Sequence, residues 1–142
     1  MPTIELPPAV DRFLHEPNPA IIACIRPDGF PMSVATWYDW QDGLILVNMH
    51  ERRSRLRWMR LNPRVSVTVL GEDWSRHVSL FGSIVRFVDD VELTDIDRLC
   101  RRYSGQPFPM RTAKRVSAWI EPHGWHGWDS EGKLSSVPAG PG

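Results

Sequence analysis

The chain has 142 residues, 42% hydrophobic and 24% charged, and its 17 basic residues are balanced by 17 acidic ones. That length suits one domain with one core, and no apolar run approaches the roughly 20 residues that would span a bilayer. A formally neutral chain has no global field to attract nucleic acid or an acidic membrane surface, so any electrostatic function must be local.

In chain order, MPTIELPPAV has an acidic residue and three prolines where a secretory signal would place lysines and a long apolar core, so a cytoplasmic protein is expected. Residues 7–15, PPAVDRFLH, start with proline at a tolerated first-turn position and stop ahead of Pro17, which predicts a short lid-like helix. AIIACIR (20–26) reads as a strand, and PDGFP as its hairpin turn. MSVATWYDW (32–40) and LILVNM (44–49) flank the hairpin signal QDG, so three antiparallel strands are expected to open the domain. Residues 52–61 are rich in helix formers and end at Asn62-Pro63, which predicts a helix of two to three turns.

RVSVTVL (64–70) alternates as a strand, and HVSLFGSIVRFV (77–88) is a long strand in which Gly82 marks a bulge or bend. The two should pair across GEDWSR. In LTDIDRLCRRYSG, Thr94 can cap a helix, Ile96, Leu99, Cys100 and Tyr103 repeat at helical spacing, and Gly105 can end it. RVSAWIEP (115–122) reads as a strand, with GWHGWD as its continuation or a bulged turn. One domain over residues 1–128 and a flexible tail over 129–142 are expected. Cys24 and Cys100 lack CxxC spacing and are expected as buried free thiols.

Six or so short strands with hairpin spacing and three short helices predict a mainly β protein, a closed or partly closed antiparallel barrel. No GxGxxG follows a strand and no phosphate-loop sequence occurs, so a Rossmann or Walker nucleotide site has no support. His123 and His126 stand at i and i+3, but no cysteine or carboxylate cluster joins them, and no metal site is expected. Seven tryptophans on a barrel could stack bases, yet zero net charge and a single basic patch argue against it.

That patch is the feature to explain: HERRSRLRWMRLNPR carries six arginines and one carboxylate. On a helical wheel Arg53, Arg57, Arg60 and Arg64 form one stripe, with Arg55, Trp58 and Met59 on roughly the opposite side. Like charges one turn apart destabilise a helix by a few tenths of a kcal/mol per pair, so some anion should offset them. Glu72, Asp73 or Asp89 could do so. Arg53 and Arg55, however, sit at the helix start, where free backbone N–H groups and the helix dipole also favour a phosphate.

The order of PDGFPMSVATWYDWQDGLILVNMHERRSRLRWMRLNPRVSVTVL, HVSLFGSIVRFVD and RVSAWIEPHGWHGW resembles the flavin- and deazaflavin-dependent split β-barrel proteins related to pyridoxamine 5′-phosphate oxidase. The resemblance covers roughly residues 8–128, with RRSRLRWMRLNPRVSV its most specific part. It implies a six-stranded split barrel that dimerises with itself around two interfacial cofactor sites. It also implies that Arg53 and Arg55 hold the cofactor phosphate, that Met32, Ser33, Val34, Thr36, Asn48 and Met49 line the ring, most through backbone groups, and that Trp74 reaches the site from the partner subunit. Trp74 covering its own barrel is an equal alternative.

The chain ends soon after HGWHGW, without the arginine-containing segment through which pyridoxamine phosphate oxidases grip substrate phosphate, so that activity is not expected. The choice is then between flavin mononucleotide (FMN) and the deazaflavin coenzyme F-420, which adds an acidic glutamyl tail. Arg52, Arg57 and Arg60 could meet such a tail, and 15 arginines against two lysines suits a high-GC, actinobacterial genome, which favours deazaflavin. The expected chemistry is hydride transfer from reduced cofactor to a small electrophile such as an enone, imine, quinone or conjugated ring. Tyr38, His50, His77 or solvent would supply the proton. A non-catalytic carrier of a flavin or tetrapyrrole is the rival reading.

Overall fold

The computed structural model describes residues 4–135. Helix α1 (Pro8–His15) leads into a hairpin of β1 (Ala20–Ile25) and β2 (Pro31–Thr36), and a second hairpin joins β3 (Asp39–Gln41) to β4 (Leu44–His50). Then come α2 (Ser54–Leu61), β5 (Arg64–Leu70), β6 (His77–Asp89), α3 (Thr94–Ser104) and β7 (Arg115–Trp128). The strands form one antiparallel sheet in the order β2-β1-β5-β6-β7-β4-β3, curled but with an open ladder between its β2 and β3 edges. Mainly β architecture with short helices is as expected, with seven strands in place of six.

The extra strand arises because 32–40 is not one strand. The ladder stops at Thr36 and restarts at Asp39, since Tyr38 turns fully inside, its Oη 2.8 Å from the Leu14 carbonyl and 2.9 Å from that of Glu16. The three strands expected to open the domain therefore separate into two hairpins at opposite ends of the sheet. The QDG turn is a two-residue loop, with Asp42 at φ 51° and Gly43 at φ 77°, the twist that matches antiparallel neighbours.

At the end of α1 the unpaired carbonyls find a donor far along the chain. Arg102 of α3 donates from Nη1 to His15 O (2.8 Å) and from Nη2 to Leu14 O (3.1 Å) and Glu16 O (2.7 Å), and it pairs with Asp39 at 3.5 Å. Arg102→Met should lower stability by about 2 kcal/mol, or about 6 °C in Tm; an unchanged melting curve would contradict this bracing role.

Thr94 does not cap α3. The carboxylate of Asp90, buried, accepts from the Asp95 N–H (3.1 Å) and the Ile96 N–H (2.9 Å) instead, while Gly105 ends the helix at φ 77° as expected. Gly82 lies at a register shift between β6 and β7, as expected, and β7 continues through GWHGW to Trp128. The core is filled by Val10, Phe13 and Leu14 of α1, Leu56 and Met59 of α2 and the inward residues of the strands. Cys24 and Cys100 are buried free thiols. Leu134 packs into that core, while residues 136–142 of the expected tail lie outside the described residues.

The only tyrosines, Tyr38 and Tyr103, are both raised above the usual phenol range, chiefly by burial. In the unfolded chain they ionise near pH 10, in the folded protein only above it, so their stabilising contribution is whole below about pH 10 and is lost as pH rises further. Absorbance at 295 nm should show tyrosinate only as the chain unfolds; a step near pH 10 in folded protein would contradict this.

Candidate functional site

A cleft of about 440 Å³ opens where the end of β2, the start of α2, α3 and the start of β7 meet. One wall is aromatic. The Trp37 ring stacks on Tyr103, centroids 5.7 Å apart and planes 11° from parallel, and Phe108 continues that wall. Tyr103 is pinned because its hydroxyl donates to the Asn18 carbonyl at 2.7 Å. Such a flat, rigid wall suits a planar ring.

The lining is also cationic. Arg55, on the first turn of α2, and Arg115, at the start of β7, both line the cleft. Burial pushes the Arg55 guanidinium below its ordinary range, and neighbouring Arg53 pushes it further. Arg115 is lowered by burial and then by Arg53, with Arg55 adding to the repulsion and Asp90 opposing it. Three guanidiniums thus crowd one region.

Direct ion pairing is not what the fold supplies, although Asp90 acts on Arg115 from a distance. Among the described residues no ion pair involves Arg52, Arg53, Arg55, Arg57, Arg60, Arg64 or Arg115. The Asp73 carboxylate instead accepts from the Ser75 N–H within its own loop. Arg53 is the N-cap of α2, whose first turn holds no acid and no side-chain cap. Dipole and side chains therefore favour an anion at the same place. The unneutralised cations beside a planar apolar wall fit a ring carrying a phosphate.

Of the residues expected at a cofactor site, the cleft brings together Thr36, Asn48 and Arg55. Arg53 is exposed beside it and Arg57 is exposed further along α2. Met32 and Val34 pack against the core, Ser33 is exposed on β2, and Met49 is a core residue at 1% exposure. For Met49 only the backbone could serve a ligand. Trp74 is 80% exposed and borders a different groove with His77 and Trp128. Sequence reasoning missed Arg115, Trp37, Tyr103 and Phe108 as cleft residues. Nothing local in KRVSAWIEP distinguishes the first from any basic residue at a strand start.

Three of the four proton sources considered are placed away from the cleft. Tyr38 is fully buried, His50 Nδ1 accepts from the Arg52 N–H at 3.0 Å, and His77 lies in the Trp74 groove. The cleft lining holds no histidine, cysteine, lysine or carboxylate. Among the described residues no three metal-ligating side chains converge, and no helix is long and apolar enough to cross a membrane.

The fold that carries this cleft is a split barrel. The family model of pyridoxamine 5′-phosphate oxidase matches residues 6–129, and the chain belongs to that family of flavin-binding oxidoreductases. Among solved structures it is similar to an F420 reductase, 26% identical over 84% of this chain and 98% of that one, with a TM-score of 0.77. It is also similar to the conserved hypothetical protein Rv2991 from Mycobacterium tuberculosis (24% identity, 98% and 94% of the two chains, TM-score 0.71). General Stress Protein 26 from Bacillus anthracis shares the fold at 15% identity, with 87% and 94% covered and a TM-score of 0.65. No curated protein matches the chain.

Proposed function

We propose that the protein is an oxidoreductase that uses reduced coenzyme F-420 to reduce an electrophilic small molecule such as an enone, a quinone or a conjugated ring. The observation that carries this reading is the surplus of cations without acidic partners. Arg53 and Arg55 at the cleft suffice for one phosphate, and Arg52, Arg57 and Arg60 remain along the same segment, without ion pairs among the described residues, for a more acidic ligand. The likeness to an F420 reductase at 26% identity supports the same choice. FMN is the alternative, favoured by the flavin-binding character of the family as a whole.

When bound, the deazaflavin supplies a hydride. The chain's own residues bind, orient and exclude water. Arg53 and Arg55 would hold the phosphate with their planar forks, and Trp37 and Tyr103 would give the ring a flat aromatic bed. Tyr103 is the one hydroxyl acid in the lining besides Thr36, and its proton is committed to Asn18, so solvent supplies the proton that completes the reduction. A self-dimer fits the same reading, since Phe81 (55%), Val85 (53%) and Trp74 (80%) leave apolar surface that a second copy would cover.

Mixing the protein with reduced coenzyme F-420 and a panel of enones and quinones tests the enzymatic part. Acceptor-dependent reoxidation is expected; tight binding without turnover on any acceptor would favour the carrier reading.

A further inference from the structure

We propose that Arg115 is a third anion-binding residue of the cleft, that Asn48 is the residue positioning it, and that Asp90 ties this anion site to the start of α3. The inference rests on the cofactor reading above and adds to it residues that the resemblance did not assign as anion ligands.

The geometry runs through one chain of polar contacts. Arg115 Nε donates to Asn48 Oδ1 at 2.7 Å, and the guanidinium lies over the Phe108 ring at 4.7 Å. With Nε engaged and one face covered, the Nη edge is the part left to meet a ligand, and among the described residues it has no hydrogen bond or ion pair. The Asn48 amide can take only one orientation here. Its Nδ2 donates to the Asp90 carboxylate (3.1 Å) and to the Ser117 hydroxyl (3.0 Å), which leaves Oδ1 to accept from Arg115. Ser117 in turn donates to Asp95 Oδ2 at 2.7 Å.

Asp90 does two jobs with one carboxylate, capping α3 at Asp95 and Ile96 and fixing Asn48. Because α3 also carries Tyr103 and Leu99 of the cleft wall, the helix that shapes the ring's bed and the arginine that meets the anion share one anchor. Asn48 is buried at 6% exposure in a strand of apolar residues, a place where an unpaired amide would be costly. Crowding of Arg53, Arg55 and Arg115 supports a shared anion, since the repulsion among them is relieved when one is bound.

The test compares affinity for coenzyme F-420 with that for its phosphate-free deazaflavin chromophore, and FMN with riboflavin, in Arg115→Met, Arg115→Lys and Asn48→Ala. Arg115→Met should lower the phosphorylated-to-unphosphorylated ratio about tenfold and flatten its salt dependence, leaving chromophore affinity unchanged. Arg115→Lys should recover part of the ratio. Asn48→Ala should lower it about threefold with the Arg115 charge retained. Equal loss of both ligands would mean a purely structural role and overturn the proposal. So would an unchanged ratio in Arg115→Met when Arg53→Ala/Arg55→Ala abolishes it, an outcome that leaves the cofactor reading standing. A wild-type ratio near one would overturn both.

Discussion

Replacing Arg53 and Arg55 together by alanine should weaken binding of a phosphorylated cofactor about a thousandfold while leaving the fold intact. Each charge-assisted contact to a phosphate contributes about 2 kcal/mol, and two of them correspond to about three decades in Kd. The two arginines make no ion pair among the described residues, and Arg55 is held below its ordinary pKa by burial and by Arg53. Removing them therefore relieves repulsion, so the melting temperature should stay level or rise. A salt-bridged structural helix would behave the opposite way. Fluorescence titration beside a thermal melt separates the two, and unchanged affinity in the double variant would sink the phosphate site.

The largest stability effect is expected at Gly82→Ala. A Cβ at this position would lie against the backbone carbonyl of Glu121, with the Pro122 Cα also too close, and neither is the free end of a flexible side chain. Gly82 faces Pro122 at the register shift where β6 and β7 bend, so relief would require moving the longest strand pair in the sheet. A loss of about 3 kcal/mol is expected, equivalent to about 10 °C in Tm. A variant that melts within a degree or two of the parent would show that the strands part easily there.

Elements whose signals are local were readable from the residues. Alternation in RVSVTVL, helical spacing in TDIDRLCRRYS and the proline after Asn62 each lead to the element observed. What escaped depends on partners distant in the chain. The break at Trp37-Tyr38 exists because Tyr38 is drawn in by the carbonyls at the end of α1, and nothing within MSVATWYDW records that. A strand's pattern likewise does not name its neighbour, so LILVNM could be recognised as a strand but not placed between β3 and β7. Asp90 caps α3 from outside the usual capping position, which let Thr94 look sufficient.

Within the candidate site, Arg55 stood out by chemistry, as a cation at a helix start, whereas Asn48 and Thr36 came only with the family resemblance. Arg115 did not stand out, because one arginine at the beginning of a strand is ordinary until the fold sets it beside Arg53 and Arg55. The aromatic wall is similarly non-local, since Trp37 and Tyr103 meet only when α3 folds across the end of β2.

The most direct measurement is a fluorescence titration of the purified protein with oxidised coenzyme F-420 and, in parallel, with FMN, at low and high salt. The account predicts tighter binding of coenzyme F-420 than of FMN, weakening as salt screens the arginines. Binding of neither, or affinity for both that ignores salt, would contradict it and leave the arginine helix as a charged surface without a ligand.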